Sequence, residues 1–286
     1  MRIVKKRKKR DVSAARMARR AARRANMRRR VDQSTAIIPN LFTLANAFFG
    51  FAAIATAIEG SVETAILLIF AGMACDMVDG FVARLLKKSS QFGVEVDSLA
   101  DVVTFGMAPS VIAYQVYFNQ YELFGIFLSS MIMIFSIIRL AKFNVMTKDD
   151  DLSEKKMFIG IPTPVSAGTM ITYVLFYHDK IFSHEVSSVV MTVLAVALPL
   201  LMVSPFKYDT FPGFSPRAIK ANPAKYIVFF LAVFLIIITK GEASFSVFLF
   251  IISTGIFRSI ISLFTKKGTD EEVDLTPKPV EPDKKD

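Results

Sequence analysis

The sequence predicts an all-α integral-membrane protein with about eight transmembrane helices. Three observations lead there. Hydrophobic residues make up 53% of the 286 positions, mean hydropathy is +0.45, and the apolar residues fall into eight separated runs. A water-soluble core of this size cannot hide so much apolar surface. The runs are continuous in Leu, Ile, Ala, Met and Phe, without the alternation that barrel strands would show.

The runs are Thr35–Ile58, Val62–Leu86, Val94–Phe118, Tyr121–Phe143, Ile161–Tyr177, Val186–Ser204, Tyr226–Thr239 and Ser244–Phe264. Most approach or exceed the roughly 20 residues a helix needs to cross a bilayer, and the seventh is short. Pro162 and Pro164 are expected to open the fifth run, because proline is tolerated in a first helical turn. Trp is absent, so interfacial anchoring falls to Tyr, Phe and the basic residues.

The net charge of +10 invites a nucleic-acid reading until the charges are placed. Residues 1–30 carry 15 Lys/Arg against the single acid Asp11. With this end in the cytoplasm, eight spans put 33 Lys/Arg inside and only Lys180 and Lys240 outside. That asymmetry sets orientation, with both termini cytoplasmic. It gives no ground for a nucleic-acid partner. Residues 1–34 are expected to be a disordered basic tail, 35–265 the membrane domain, and 266–286 a disordered charged tail. The lone Cys75 excludes a disulfide framework and cysteine-based metal sites. His178 and His184 fall in an outside loop and are expected to be solvated.

Two runs contain acids that lipid should not tolerate. The second holds Asp76 and Asp79, and the third opens with Asp97 and Asp101. Each carboxylate at a span centre costs about 2.5–3.5 kcal/mol on insertion scales, so something must compensate the four. Asp76 and Asp79 lie about 60° apart on one helical face, with Gly72, Gly80 and Ala83 beside them. Gly93, Asp97, Asp101 and Thr104 form a second stripe. Neighbouring antiparallel helices would bring the two faces together. Four carboxylates without histidine make an all-oxygen site, suited to Mg²⁺ or Mn²⁺. Two such ions would balance the charge and leave positions for phosphate oxygens. A cation transporter is the rival from another class, since intramembrane acids also line ion pathways.

The pattern Asp76-x2-Asp79-Gly80-x2-Ala83-Arg84-x8-Gly93-x3-Asp97-x3-Asp101 fixes eight residues within 26 positions. It resembles the signature of the CDP-alcohol phosphotransferases at every defining position. Pro39-Asn40-x2-Thr43-x2-Asn46, Thr104-Phe-Gly106-x2-Pro109, Arg139-x2-Lys142-Phe-Asn144 and Gly160-Ile-Pro162-Thr-Pro164 resemble the phosphatidylserine synthase branch of that family. The resemblance covers residues 35–265.

The resemblance implies a six-helix core around a polar cavity open to the cytoplasm, here with two extra C-terminal helices, and a homodimer. It implies that Asp76, Asp79, Asp97 and Asp101 hold two divalent cations, with Asp101 also the general base. Asn40, Thr43, Gly80, Ala83, Arg84, Ser90 and Gly93 would hold the CDP portion of CDP-diacylglycerol. The implied acceptor is L-serine, with choline, inositol phosphate or glycerol phosphate as alternatives. A serine acceptor brings a carboxylate, for which Arg139 and Lys142, one turn apart, are the candidate partners; ordinary anchoring at the membrane face is the alternative role for both.

Overall fold

A computed structural model describes residues 37–86, 91–148, 158–208 and 223–265. Both charged tails and Ser90 lie outside the described residues. The described residues are almost wholly helical, in the order α1 (Ile37–Ile58), α2 (Val62–Leu86), α3 (Gln91–Asp101), a π-helical turn (Val102–Met107), α4 (Ala108–Val116), α5 (Glu122–Lys148), α6 (Thr163–Phe176), α7 (His184–Val203), α8 (Pro223–Ile238) and α9 (Ala243–Thr265). Among the described residues, one pairing of extended segments sets β1 (Phe158–Ile159) antiparallel to β2 (Lys207–Tyr208), clipping the segment before α6 to the one after α7.

Helix α1 ends where Gly60 adopts a φ of +84°, and the Gly60 and Ser61 amides donate to the carbonyls of Ala57 and Thr56. This pattern satisfies two carbonyls that lipid could not. The reversal lets α2 return along α1, with Ala53, Ala57 and Ala65 fully buried where the two approach. Small residues bring helix backbones close, which replaces the hydrophobic drive that lipid does not provide.

The third apolar run is one continuous rod, α3 to α4, but it is not uniformly α-helical. The Ala108 amide donates to the Val103 carbonyl, five residues back. Pro109 explains the wider turn. A proline in a regular helix lacks the amide for the carbonyl four residues earlier and collides with it. The π turn opens that site and lets the helix continue.

Helix α6 differs from the expected span Ile161–Tyr177. It has 14 residues, and all of Val165–Val174 are buried. At about 1.5 Å per residue it measures about 21 Å, short of a hydrocarbon core about 30 Å thick. Enclosed by its neighbours, its ends need not meet lipid. Pro162 caps it and Pro164 lies in its first turn. Among the described residues, five helical stretches are long and apolar enough to cross a membrane, namely residues 40–58, 62–82, 91–116, 118–146 and 184–203, while residues 163–176, 226–238 and 243–259 form shorter apolar stretches. Leu44, Phe48 and Phe51 on α1, Phe124 and Phe127 on α5, and Phe230 and Phe234 on α8 face outward, as lipid contact requires.

Helix α9 packs on the bundle, with Phe245 and Ile252 buried and the Phe248 ring in space left by Gly168 of α6. One further expectation changes. His178 is not solvated. It is 8% exposed and lies edge-on to Tyr117 and Tyr173, with ring centroids 6.1 and 6.0 Å away. Burial holds its imidazole below the ordinary value, with Asp179 opposing and His184 reinforcing that shift. The enclosure is built by residues from separate elements, so nothing local in the sequence signals it.

The π turn packs closely on α1. A Cβ on Gly50 would lie 2.3 Å from Thr104 Oγ1 and 2.8 Å from its Cα. Gly80, by contrast, has nothing within 4 Å of an added Cβ. Gly50→Ala should therefore destabilise the protein by about 1–3 kcal/mol through overpacking. Gly80→Ala should leave the melting temperature of the detergent-solubilised protein within about 2 °C of the parent, consistent with substitutions away from packed contacts. Equal melting temperatures for the two variants would contradict this packing.

Candidate active site

The acids gather where side chains of α2 and α3, both packed on α1, meet. Asp97 and Asp101 are one turn apart on α3, and Asp76 comes from the second half of α2. Ligand oxygens of Asp76, Asp97 and Asp101 all lie within 4.8 Å of one another. Asp79 stands slightly apart. It is 5% exposed, and its Oδ2 accepts a hydrogen bond from Thr43 Oγ1 at 2.9 Å. Asp76 and Asp101 each interact electrostatically with both Asp79 and Asp97, so the four behave as one charged group.

Such a group is costly by itself. Two like charges 4 Å apart repel by about 4 kcal/mol at an effective dielectric of about 20. The described cation that interacts with the cluster is Arg139, 8% exposed on α5 and coupled to Asp101. One guanidinium cannot balance four carboxylates. Asp97 Oδ1 is buried with no hydrogen-bond partner among the described residues. A close-set group of oxygen donors, one of them orphaned, with no histidine or thiolate among them, fits a hard divalent cation. The cluster could hold a metal ion.

The remaining sequence candidates fall as follows. Thr43 touches the site through Asp79. Asn40 is half-buried in the first turns of α1, Gly93 is half-buried in the first turn of α3, and Gly80 borders open space on α2. Ala83 and Arg84 belong to the end of α2, but their side chains lie outside the described residues, as does all of Ser90. Arg139 and Lys142 part company. Arg139 turns inward, its Nη1 donating to Thr163 Oγ1 at 3.4 Å and its Nε without a partner among the described residues, whereas Lys142 is exposed.

Two features escaped the sequence reading. Asn46, in the first-helix motif, was given no role, yet it is fully buried and its Nδ2 donates to Asp101 Oδ1 at 3.4 Å. Its position three residues after Thr43 on an apolar helix was the available signal. Glu95, which lies off the aspartate stripe, joins a network with α5. Asn144 Nδ2 donates to Glu95 Oε2 at 3.2 Å and to Ser98 Oγ at 2.9 Å. No spacing rule links residues that far apart in the chain.

The model of the CDP-alcohol phosphatidyltransferase family matches residues 36–203. A CDP-diacylglycerol–serine O-phosphatidyltransferase of Helicobacter pylori is 36% identical over 207 residues, covering 72% of this chain and 84% of that protein. The enzyme of the same name from Bacillus subtilis is 34% identical over 174 residues, 61% of this chain and 90% of that protein. An archaetidylserine synthase of Methanothermobacter thermautotrophicus is 32% identical over 178 residues, 62% of this chain and 71% of that protein. The matched stretch runs from α1 through α7 and contains every aspartate of the cluster, so the chain belongs to the CDP-alcohol phosphatidyltransferase family.

Proposed function

We propose that this protein transfers the phosphatidyl group of CDP-diacylglycerol to the hydroxyl of L-serine, giving phosphatidylserine and CMP. Family membership supports the donor, and the names of the relatives support the acceptor. The observation that carries the reading is Arg139, a buried guanidinium whose Nε has no hydrogen-bond partner among the described residues, beside the carboxylate cluster. An acceptor with its own carboxylate would satisfy that cation.

Asp76, Asp79, Asp97 and Asp101 would hold two divalent cations, Mg²⁺ or Mn²⁺. When bound, such ions supply charge neutralisation to the diphosphate and stabilise the leaving phosphate. The protein's own residues do the rest. Asp101 takes the proton of the serine hydroxyl, an otherwise poor nucleophile, as its oxygen forms a bond to the phosphorus bearing diacylglycerol. The bond from that phosphorus to the CMP oxygen breaks, and CMP leaves with the electron pair. Arg139 holds the serine carboxylate, which fixes the angle of attack. Gly80, with open space before it, lets the diphosphate approach the α2 backbone. Asn40, Thr43, Ala83, Arg84, Ser90 and Gly93 complete the CDP site. Lys142, exposed on α5, serves in anchoring.

The charge asymmetry of 33 Lys/Arg against two supports cytoplasmic termini and a site open to the cytoplasm, with the acyl chains remaining in lipid. A homodimer is the expected assembly, and residues 1–34 and 266–286 act as cytoplasmic tails.

Purified protein given CDP-diacylglycerol and a panel of alcohols tests the acceptor. CMP release should depend on L-serine and be at background with choline, inositol phosphate and glycerol phosphate. Release with another member of the panel but not with serine would overturn the assignment. Arg139→Ala should raise the KM for serine on the order of tenfold or more, as expected for losing a charge-assisted contact, and leave the KM for CDP-diacylglycerol near the parent value. An unchanged serine KM would remove Arg139 from the acceptor site.

A further inference from the structure

Asn46 has no part in the chemistry above, yet the fold takes trouble to hold it. Its side chain is 0% exposed, with Nδ2 donating to Asp101 Oδ1 at 3.4 Å. Its main-chain carbonyl accepts Thr104 Oγ1 at 2.9 Å. Thr104 lies in the π turn, three residues beyond Asp101, so the element that carries Asp101 also grips the backbone of its donor. Room for the arrangement comes from glycines. A Cβ on Gly72 would fall 2.9 Å from Asn46 Oδ1 and 2.7 Å from Thr104 Cγ2, and Gly50 leaves space for Thr104 itself.

Packing alone does not explain an asparagine here. Asn46 Oδ1 is buried without a partner among the described residues, and an orphaned buried acceptor is unfavourable. An apolar side chain of similar shape would fill the same space without that penalty. Among the described residues, the hydrogen bond of the side chain is to Asp101.

We infer that Asn46 is a positioning residue, whose amide fixes one oxygen and the plane of the Asp101 carboxylate so that the other oxygen meets the acceptor hydroxyl. The inference rests on the transfer reaction proposed above. A group that must take a proton in one geometry gains from a fixed donor behind it.

The test uses the full-length protein in lipid nanodiscs and the Asn46→Leu variant. Its melting temperature should equal or exceed the parent's. Mn²⁺ affinity, read by electron paramagnetic resonance without substrates, and both substrate KM values should stay within about threefold, because uniform binding is untouched. The kcat should fall on the order of 10–100-fold, the usual effect of losing a residue that orients a reacting group. Parent-like kcat overturns the inference. So does a kcat loss matched by lost Mn²⁺ affinity, which would make Asn46 part of the ion site. If Asn46→Leu does not fold, Thr104→Val decides. It keeps the shape and removes the hydroxyl grip, so kcat should fall severalfold with KM unchanged, and an unchanged kcat overturns the inference. Parent protein without serine-dependent CMP release would instead sink the proposed function itself.

Discussion

Like charges held together in a lipid-embedded bundle are the constraint on which the rest of this structure depends. Asp76, Asp97 and Asp101 present oxygens within 4.8 Å of one another, with Asp79 close behind and one guanidinium nearby. Nothing in a bilayer screens such a group, and an isolated helix carrying these acids would insert poorly. The fold responds on two levels. Helices α1 and α5 bring polar side chains to the cluster, through Thr43, Asn46 and Arg139. The remaining cluster of oxygen donors could hold a hard cation.

Helix packing around the site follows from that need. The acids lie on α2 and α3, but the residues that address them come from α1 and α5, so four helices must meet at one depth. Alanines bring α1 and α2 together, and Gly50 and Gly72 admit the Thr104 side chain of the π turn. The π turn does two jobs. It accommodates Pro109 without ending the helix, and it places Thr104 against α1 just beyond Asp101. Helix α6, wholly enclosed, supplies Thr163 to Arg139 from the other side.

Much of this was legible in the sequence, for identifiable reasons. Apolar runs mark lipid-facing helices because the backbone has no alternative in a membrane, and each of the eight runs corresponds to a helical segment. The aspartates were legible because an acid is conspicuous where it is expensive. Illegible were features set by contacts between distant residues or by local backbone detail. The i-to-i+5 bond at Ala108 has no periodicity signature, although Pro109 hinted at it. The shortening of α6 reflects enclosure by neighbours, and the burial of His178 reflects rings from two other elements. The pairing of Asp79 with Thr43 depends on how α1 lies across α2. Arg139 and Lys142 looked equivalent at their spacing, and only the bundle distinguishes the inward from the outward side chain.

The central claim is that the carboxylates are gathered to hold divalent cations. Mn²⁺ titration of the purified, chelator-treated protein, followed by electron paramagnetic resonance, tests it most directly. The account predicts saturable binding that is displaced by Mg²⁺ and abolished or strongly weakened by Asp97→Asn in a protein with an unchanged melting temperature. Binding to folded Asp97→Asn indistinguishable from the parent's, or no saturable binding to the parent, would contradict it.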